Sequence, residues 1–122
     1  MSIFQKVPRE QYLFETNSFY IIADNYPVNA GHLLIISKQL RKTYFELSEE
    51  EKNELPSLID HARKIIEKQY NPDGYNIGIN CGAAAGQTVM HFHCHVIPRY
   101  KGDMSDPRGG VRHCVEGKGY YH

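Results

Sequence analysis

Apolar and β-branched residues cluster in five short runs and recur at helical spacing in one longer stretch. "YLFET" (12–16) and "FYIIAD" (19–24) are rich in aromatic and β-branched residues, and Asn17-Ser18 between them suits a tight hairpin turn. "NYPVNAG" (25–31) is a loop by its Asn, Pro and Gly content. "HLLIIS" (32–37) reads as a third strand, apolar enough to be buried on both faces. Ser48 followed by Glu51 is a capping-box pattern. Beyond it Leu55, Leu58, Ile59, Ala62, Ile65 and Ile66 predict an amphipathic helix from about Ser48 to Gln69. Pro56 lies inside that span and is expected to kink the helix or delay its start. "YNIGIN" (75–80) and "MHFHCHVIP" (90–98) are the fourth and fifth strands, joined by the small-residue loop "CGAAAGQT". Strands in runs around one long helix predict an α+β fold on a mostly antiparallel sheet; a parallel α/β fold needs more helices than the pattern supplies.

Length and composition narrow this little. The 122 residues fit one domain. No apolar run reaches the roughly 18 residues of a membrane span, and "MSIFQKVPREQ" has no signal-peptide core. Cys81, Cys94 and Cys114 are odd in number and lack CxxC spacing, which argues for a reducing compartment, the cytoplasm. Basic and acidic residues balance at 14 each, so there is no bulk footprint for nucleic acid or an anionic membrane. Any phosphate binding must come from a local site.

"GQTVMHFHCHVIPR" (86–99) is the candidate. Side chains of a strand alternate between faces. His91, His93 and His95 therefore share one face, roughly 6–7 Å apart in sequence along it, with Met90, Phe92, Cys94 and Val96 on the other. Three readings compete. The first is a polar surface face. The second is a zinc site completed by His32 or His113. The third is phosphoryl or nucleotidyl transfer, one imidazole acting as nucleophile while its neighbours hold the phosphate. An imidazole of pKa near ~6.5 is largely neutral at pH 7 and can attack phosphorus without a separate base. The preceding loop favours the third reading. Gly82, Ala83, Ala84, Ala85 and Gly86 let backbone approach a ligand, and Gln87 and Thr88 add side-chain donors, which suits an anion better than a cation.

The motif His-φ-His-φ-His-φ-φ, with φ apolar, is matched at every position by "HFHCHVI" (91–97), and on it the chain resembles the histidine-triad (HIT) family of nucleotidyl hydrolases and transferases. "ADNYPVNAGHLLIISK" (23–38) looks like that family's first signature and "NIGINCGAAAGQTV" (76–89) like its phosphate loop. "IPR" (97–99) and "GD" (102–103) are most similar to the dinucleoside polyphosphate hydrolase branch and its bacterial relatives. The transferase branch carries Gln where His95 stands, which argues for hydrolysis. The Cys pairs that bind structural zinc in some relatives are absent, so no metal or cofactor is expected.

The resemblance implies a five-stranded antiparallel sheet with a long helix, normally paired as a homodimer, and it implies residue roles. His93 would attack the α-phosphate of an AMP-containing nucleotide and form a nucleotidyl-histidine that water hydrolyses. His91 and His95 would hold or protonate phosphate oxygens. The backbone carbonyl at His32 would orient the nucleophile and fix its tautomer. Asp24 would accept from ribose hydroxyls, and Asn80, Gly86, Gln87 and Thr88 would contact phosphate. His61, His113 and His122 receive no catalytic role.

Residues 1–103 are expected to form the catalytic domain. Residues 104–122 form a tail packed on that domain or on a dimer partner. Val111–Val115 reads as a short strand there, and Arg108 or Arg112 is expected to reach a leaving polyphosphate. Two further readings stay open, a nucleoside phosphoramidase and a nucleotide-sensing module with little turnover.

Overall fold

The computed structural model describes residues 1–121; His122, one of the histidines without an expected role, lies outside the described residues. Strand β1 (Phe14–Glu15) turns into β2 (Phe19–Ala23) through a tight bend in which Thr16 Oγ1 accepts from the N–H groups of Ser18 and Phe19. β3 (Leu33–Ser37), β4 (Gly74–Ile79) and β5 (His93–Arg99) complete an antiparallel sheet of order β1-β2-β3-β5-β4. Helix α1 (Glu49–Glu67) crosses one face.

Each element follows from local chemistry. Ser48 Oγ accepts from the Glu51 N–H while Glu51 Oε1 accepts from the Ser48 N–H, closing the capping box. Glu51 is itself buried and takes a second partner, Arg41 Nε, at 3.0 Å. The helix starts at this cap, so Pro56 does not delay it. Leu55, Leu58, Ala62 and Ile66 point into the sheet against Phe19, Ile21, Ile35, Phe92, Cys94 and Val96. Fully burying each such aliphatic side chain contributes about 1.5–3 kcal/mol.

β3 is buried along its whole length. Leu33 and Ile35 face the helix, while Leu34 and Ile36 face a second, smaller cluster with Phe4, Tyr20 and Ile22. That second cluster floors the face where the histidines sit, because Ile36 pairs with His93 and Leu34 with His95. The N-terminal segment covers it: a turn at Ile3–Lys6, capped by Ser2, places Phe4 on the sheet.

Two expectations about local structure change. β5 begins at His93, not Met90. The His91 N–H bonds to the Val89 carbonyl and the Phe92 N–H to the Arg41 carbonyl, a bend that takes Met90 off the sheet and leaves it 42% exposed. In the tail, Gly110–Cys114 is a 3₁₀ turn rather than a strand. Gly109 and Gly110, both at positive φ, open it, and it lies beside β4.

Candidate active site

β5 carries His93 and His95 on the face opposite the helix, half-buried, with ring centroids 5.3 Å apart. His91 differs from them. It is 1% exposed, and both ring nitrogens are engaged: Nε2 lies 2.7 Å from the Ser37 carbonyl and Nδ1 2.8 Å from Ser2 Oγ. A carbonyl only accepts, so Nε2 carries the hydrogen and Nδ1 accepts from the Ser2 hydroxyl. The row of three presented imidazoles expected from alternation is therefore a row of two, with His91 sealed behind them. Burial holds its pKa below the ordinary histidine value.

The His91 backbone has a separate task. Its carbonyl sits 2.8 Å from His93 Nδ1, so His93 Nδ1–H donates to it and the lone pair resides on Nε2. The expected orienting carbonyl at His32 is instead bonded to the Asp24 N–H, where it closes the end of the β2–β3 pairing. The residue two before His93 supplies the acceptor because the bend before β5 turns that carbonyl inward.

The His32 side chain acts on His95. The Val28 N–H donates to His32 Nδ1 at 3.0 Å. A neutral His32 must then carry its hydrogen on Nε2, which faces His95 Nδ1 at 3.0 Å and Asp24 Oδ2 at 3.3 Å. His95 Nδ1 accepts, so the His95 hydrogen is on Nε2. The chain of tautomers leaves a lone pair on His93 and an N–H donor on His95, adjacent on one face. Burial lowers the pKa of both His32 and His95; Asp24 opposes this in each case without reversing it.

These groups border a cleft of about 520 Å³. Ile3, Phe4, Val7, Ile22 and Leu34 form its apolar part; Asp24, Asn80, Gly86, Thr88, His93 and His95 form its polar part. Phe4 meets the His93 ring edge-on at 5.0 Å. The N-terminal wall was not anticipated, although Ser2-x-x-Gln5 is a capping-box sequence and forms one. Asp24 is at the rim as expected, with Oδ1 accepting from the Tyr26 N–H.

The loop between β4 and β5 works differently from its expected role. Gly82 and Gly86, at φ near 95° and 97°, bracket a 3₁₀ turn at Ala83–Ala85. The N–H groups of Gly82, Ala85, Gly86 and Gln87 all bond within the loop. Gln87 is 3% exposed; its amide donates to the Lys42 and Val89 carbonyls while its oxygen accepts from the Gly82 N–H. With its polar atoms so engaged, Gln87 braces the loop rather than offering donors to a phosphate. Asn80 and Thr88, both exposed to the cleft, remain as the side-chain donors there.

One trio has the composition of a metal site: Asp24, His32 and His95 each bring a ligand atom within 4.8 Å of the others. Zinc takes the lone pair of a neutral imidazole, whose other nitrogen then keeps its hydrogen. The Val28 N–H pointing at His32 Nδ1 forbids that arrangement, so the residues present do not fit zinc. His91 has no free nitrogen, and His113 is turned to the Arg108 carbonyl in the tail, so neither completes another set with His93 and His95.

Residues 5–102 match the family described as HIT domain. Across 104 residues the chain is 34% identical to a bis(5'-nucleosyl)-tetraphosphatase [asymmetrical] of Schizosaccharomyces pombe, covering 84% of this chain and 57% of that protein. It is 34% identical over 87 residues to an AP-4-A phosphorylase of Mycobacterium tuberculosis, covering 70% and 45%. The chain thus spans about half the length of these curated relatives. A Zn-bound histidine triad family protein of Mycobacterium smegmatis has a similar structure, with TM-score 0.75, 30% identity and coverage of 86% and 79%. The similarities and the structure agree on the class of fold, a five-stranded antiparallel sheet with one long helix. The chain belongs to the HIT family.

Proposed function

We propose that this protein hydrolyses AMP-containing nucleotides at the α-phosphate, on dinucleoside polyphosphates or adenylated compounds, through a nucleotidyl-His93 intermediate. The observation that carries the reading is the His93 Nδ1–H donation to the His91 carbonyl, which leaves Nε2 as a lone pair facing the cleft. His93 Nε2 bonds to phosphorus as the bond to the leaving group breaks, and the leaving atom departs with the electron pair. His95 Nε2–H donates a hydrogen bond to the charge that develops. Water then attacks phosphorus, the P–N bond breaks, and AMP and a proton are released. The apolar part of the cleft suits a base, and Asp24 at its rim suits ribose hydroxyls. The activities for which the S. pombe and M. tuberculosis relatives are named support the substrate class.

A phosphorylase reading draws on the second of those relatives. The two are separated by running the reaction in ¹⁸O-water with and without inorganic phosphate. Hydrolysis gives AMP bearing ¹⁸O in both cases; ADP appearing only with phosphate would assign phosphorolysis, and no AMP or ADP from any substrate would refute both.

The protein acts as a homodimer in this reading. β4 ends the sheet with an unpaired outer edge, and Ile77 upon it is 46% exposed. No described helix is long and apolar enough to cross a membrane. Three unpaired cysteines agree with a cytoplasmic setting.

A further inference from the structure

A second groove, of about 300 Å³, opens on the other side of His95. It shares His95 and Asn80 with the nucleotide cleft but not His93. In-line displacement puts the leaving group on the far side of phosphorus from the nucleophile. A phosphate held between His93 and the His95 N–H therefore directs its leaving group toward this groove. The groove exists because Gly78 stands directly opposite His95 in the β4–β5 pairing. Directly paired residues share a sheet face, and a Cβ placed on Gly78 meets nothing within 4 Å. Any side chain there would fill the space that glycine leaves open.

The chemistry of the walls is specific. Ile97 continues the floor, Val28 and Val111, each 66% exposed, stand at the sides, and Ile77, on the β4 edge proposed above for the homodimer, borders it too. Apart from the imidazoles of His32 and His95, no titratable side chain lines it among the described residues. The tail supplies Val111 and withholds its cations. Arg108 is paired with Asp106, and Arg112 donates to the Gly119 and Lys118 carbonyls. A polyphosphate carries several negative charges and needs cations or N–H donors around it; this groove offers neither beyond His95 and two asparagines.

Resting on the hydrolase reading above, the geometry points to this groove, lined by Val28, Gly78, Asn80, His95, Ile97 and Val111, as a leaving-group subsite that takes an uncharged, apolar organic group such as the acyl end of a nucleotide mixed anhydride or the aryl end of a nucleotide ester. A carboxylate or phenolate leaves with its electron pair and needs only the His95 hydrogen bond, so no further proton donor is required. A polyphosphate leaving group extends past the groove into solvent.

The test compares two substrates that deliver the same AMP to His93: the para-nitrophenyl ester of AMP and diadenosine tetraphosphate. Gly78 has no positive φ, so Gly78→Val is compatible with the strand. Filling the groove lowers kcat/KM for the aryl ester by about tenfold or more relative to the tetraphosphate, the scale at which pockets discriminate by shape. Val111→Lys changes charge at the rim and moves the ratio toward the tetraphosphate too. Parallel losses on both substrates, or an unchanged ratio in both variants, would overturn the subsite while leaving the hydrolase reading intact. Wild-type protein that turns over neither substrate would overturn both.

Discussion

The two histidines that flank His93 occupy equivalent places in the sequence pattern and opposite situations in the fold. His91 is sealed: Ser37 holds one nitrogen, Ser2 the other, and the Phe4 ring lies edge-on at 5.6 Å. His95 keeps one nitrogen bound to His32 and lines the cleft as well as the groove beyond it. The difference lies in what surrounds each ring. On the His91 side the N-terminal segment packs down over the sheet, whereas on the His95 side Gly78 and the β2–β3 loop leave room. The lesson is that one motif places its rings in three different settings, which the proposed mechanism uses as a brace, a nucleophile and a donor.

The largest test of that division is His93→Ala. Turnover falls by about a thousandfold or more, because the other parts cannot replace the attacking atom. AMP binding by calorimetry stays measurable through the apolar cleft and Asp24. Comparable mild losses at all three triad positions would erase the contrast between them.

His95→Ala comes next. It removes the N–H donor at the leaving atom and lowers kcat about a hundredfold, with the folding midpoint little changed. His91→Ala reverses the balance. It empties a buried site and strands the Ser37 carbonyl, so the main effect is a destabilisation of about 2–3 kcal/mol in urea unfolding. Loss of activity without loss of stability in His91→Ala would place that ring in contact with substrate.

The buried rings also set a pH dependence. Folding lowers the pKa of His32, His91 and His95, so the unfolded chain binds more protons in the window below about 6.5. Stability is fully present above that value and declines as pH falls through it toward the lowered folded pKa values. Thermal unfolding between pH 7.5 and pH 5 reads this directly, and His91→Gln flattens part of the slope. The smallest effect is that of Ser2→Ala, which removes the hydroxyl from His91 Nδ1 and the cap of the first turn at a cost of about 1 kcal/mol. Ser2→Thr keeps both bonds and restores the midpoint.

Much of this architecture was legible in the chain. The hairpin at Asn17-Ser18, the capping box at Ser48 and the fully apolar third strand are short-range signals that the fold honours. The placement of His93 and His95 on one face of a strand was equally plain. What the pattern hid depends on distant partners. Ser2 meets His91 across 89 positions and Gln87 reaches Lys42 across 45, and no local rule records such pairings. The tautomer of His95 was hidden for the same reason, since it is set by the Val28 N–H acting through His32. The tail arginines misled because charge was visible and the competing acceptors, Asp106 and the carbonyls of Lys118 and Gly119, were not.

The central claim is that His93 Nε2 becomes bonded to phosphorus. Rapid-quench reaction with an AMP-containing substrate, followed by digestion and mass spectrometry, tests it most directly. An AMP adduct on the peptide containing His93, forming and decaying at rates consistent with turnover, is the predicted result. Turnover with no adduct at any time, or an adduct on His91 or His95 instead, would contradict it.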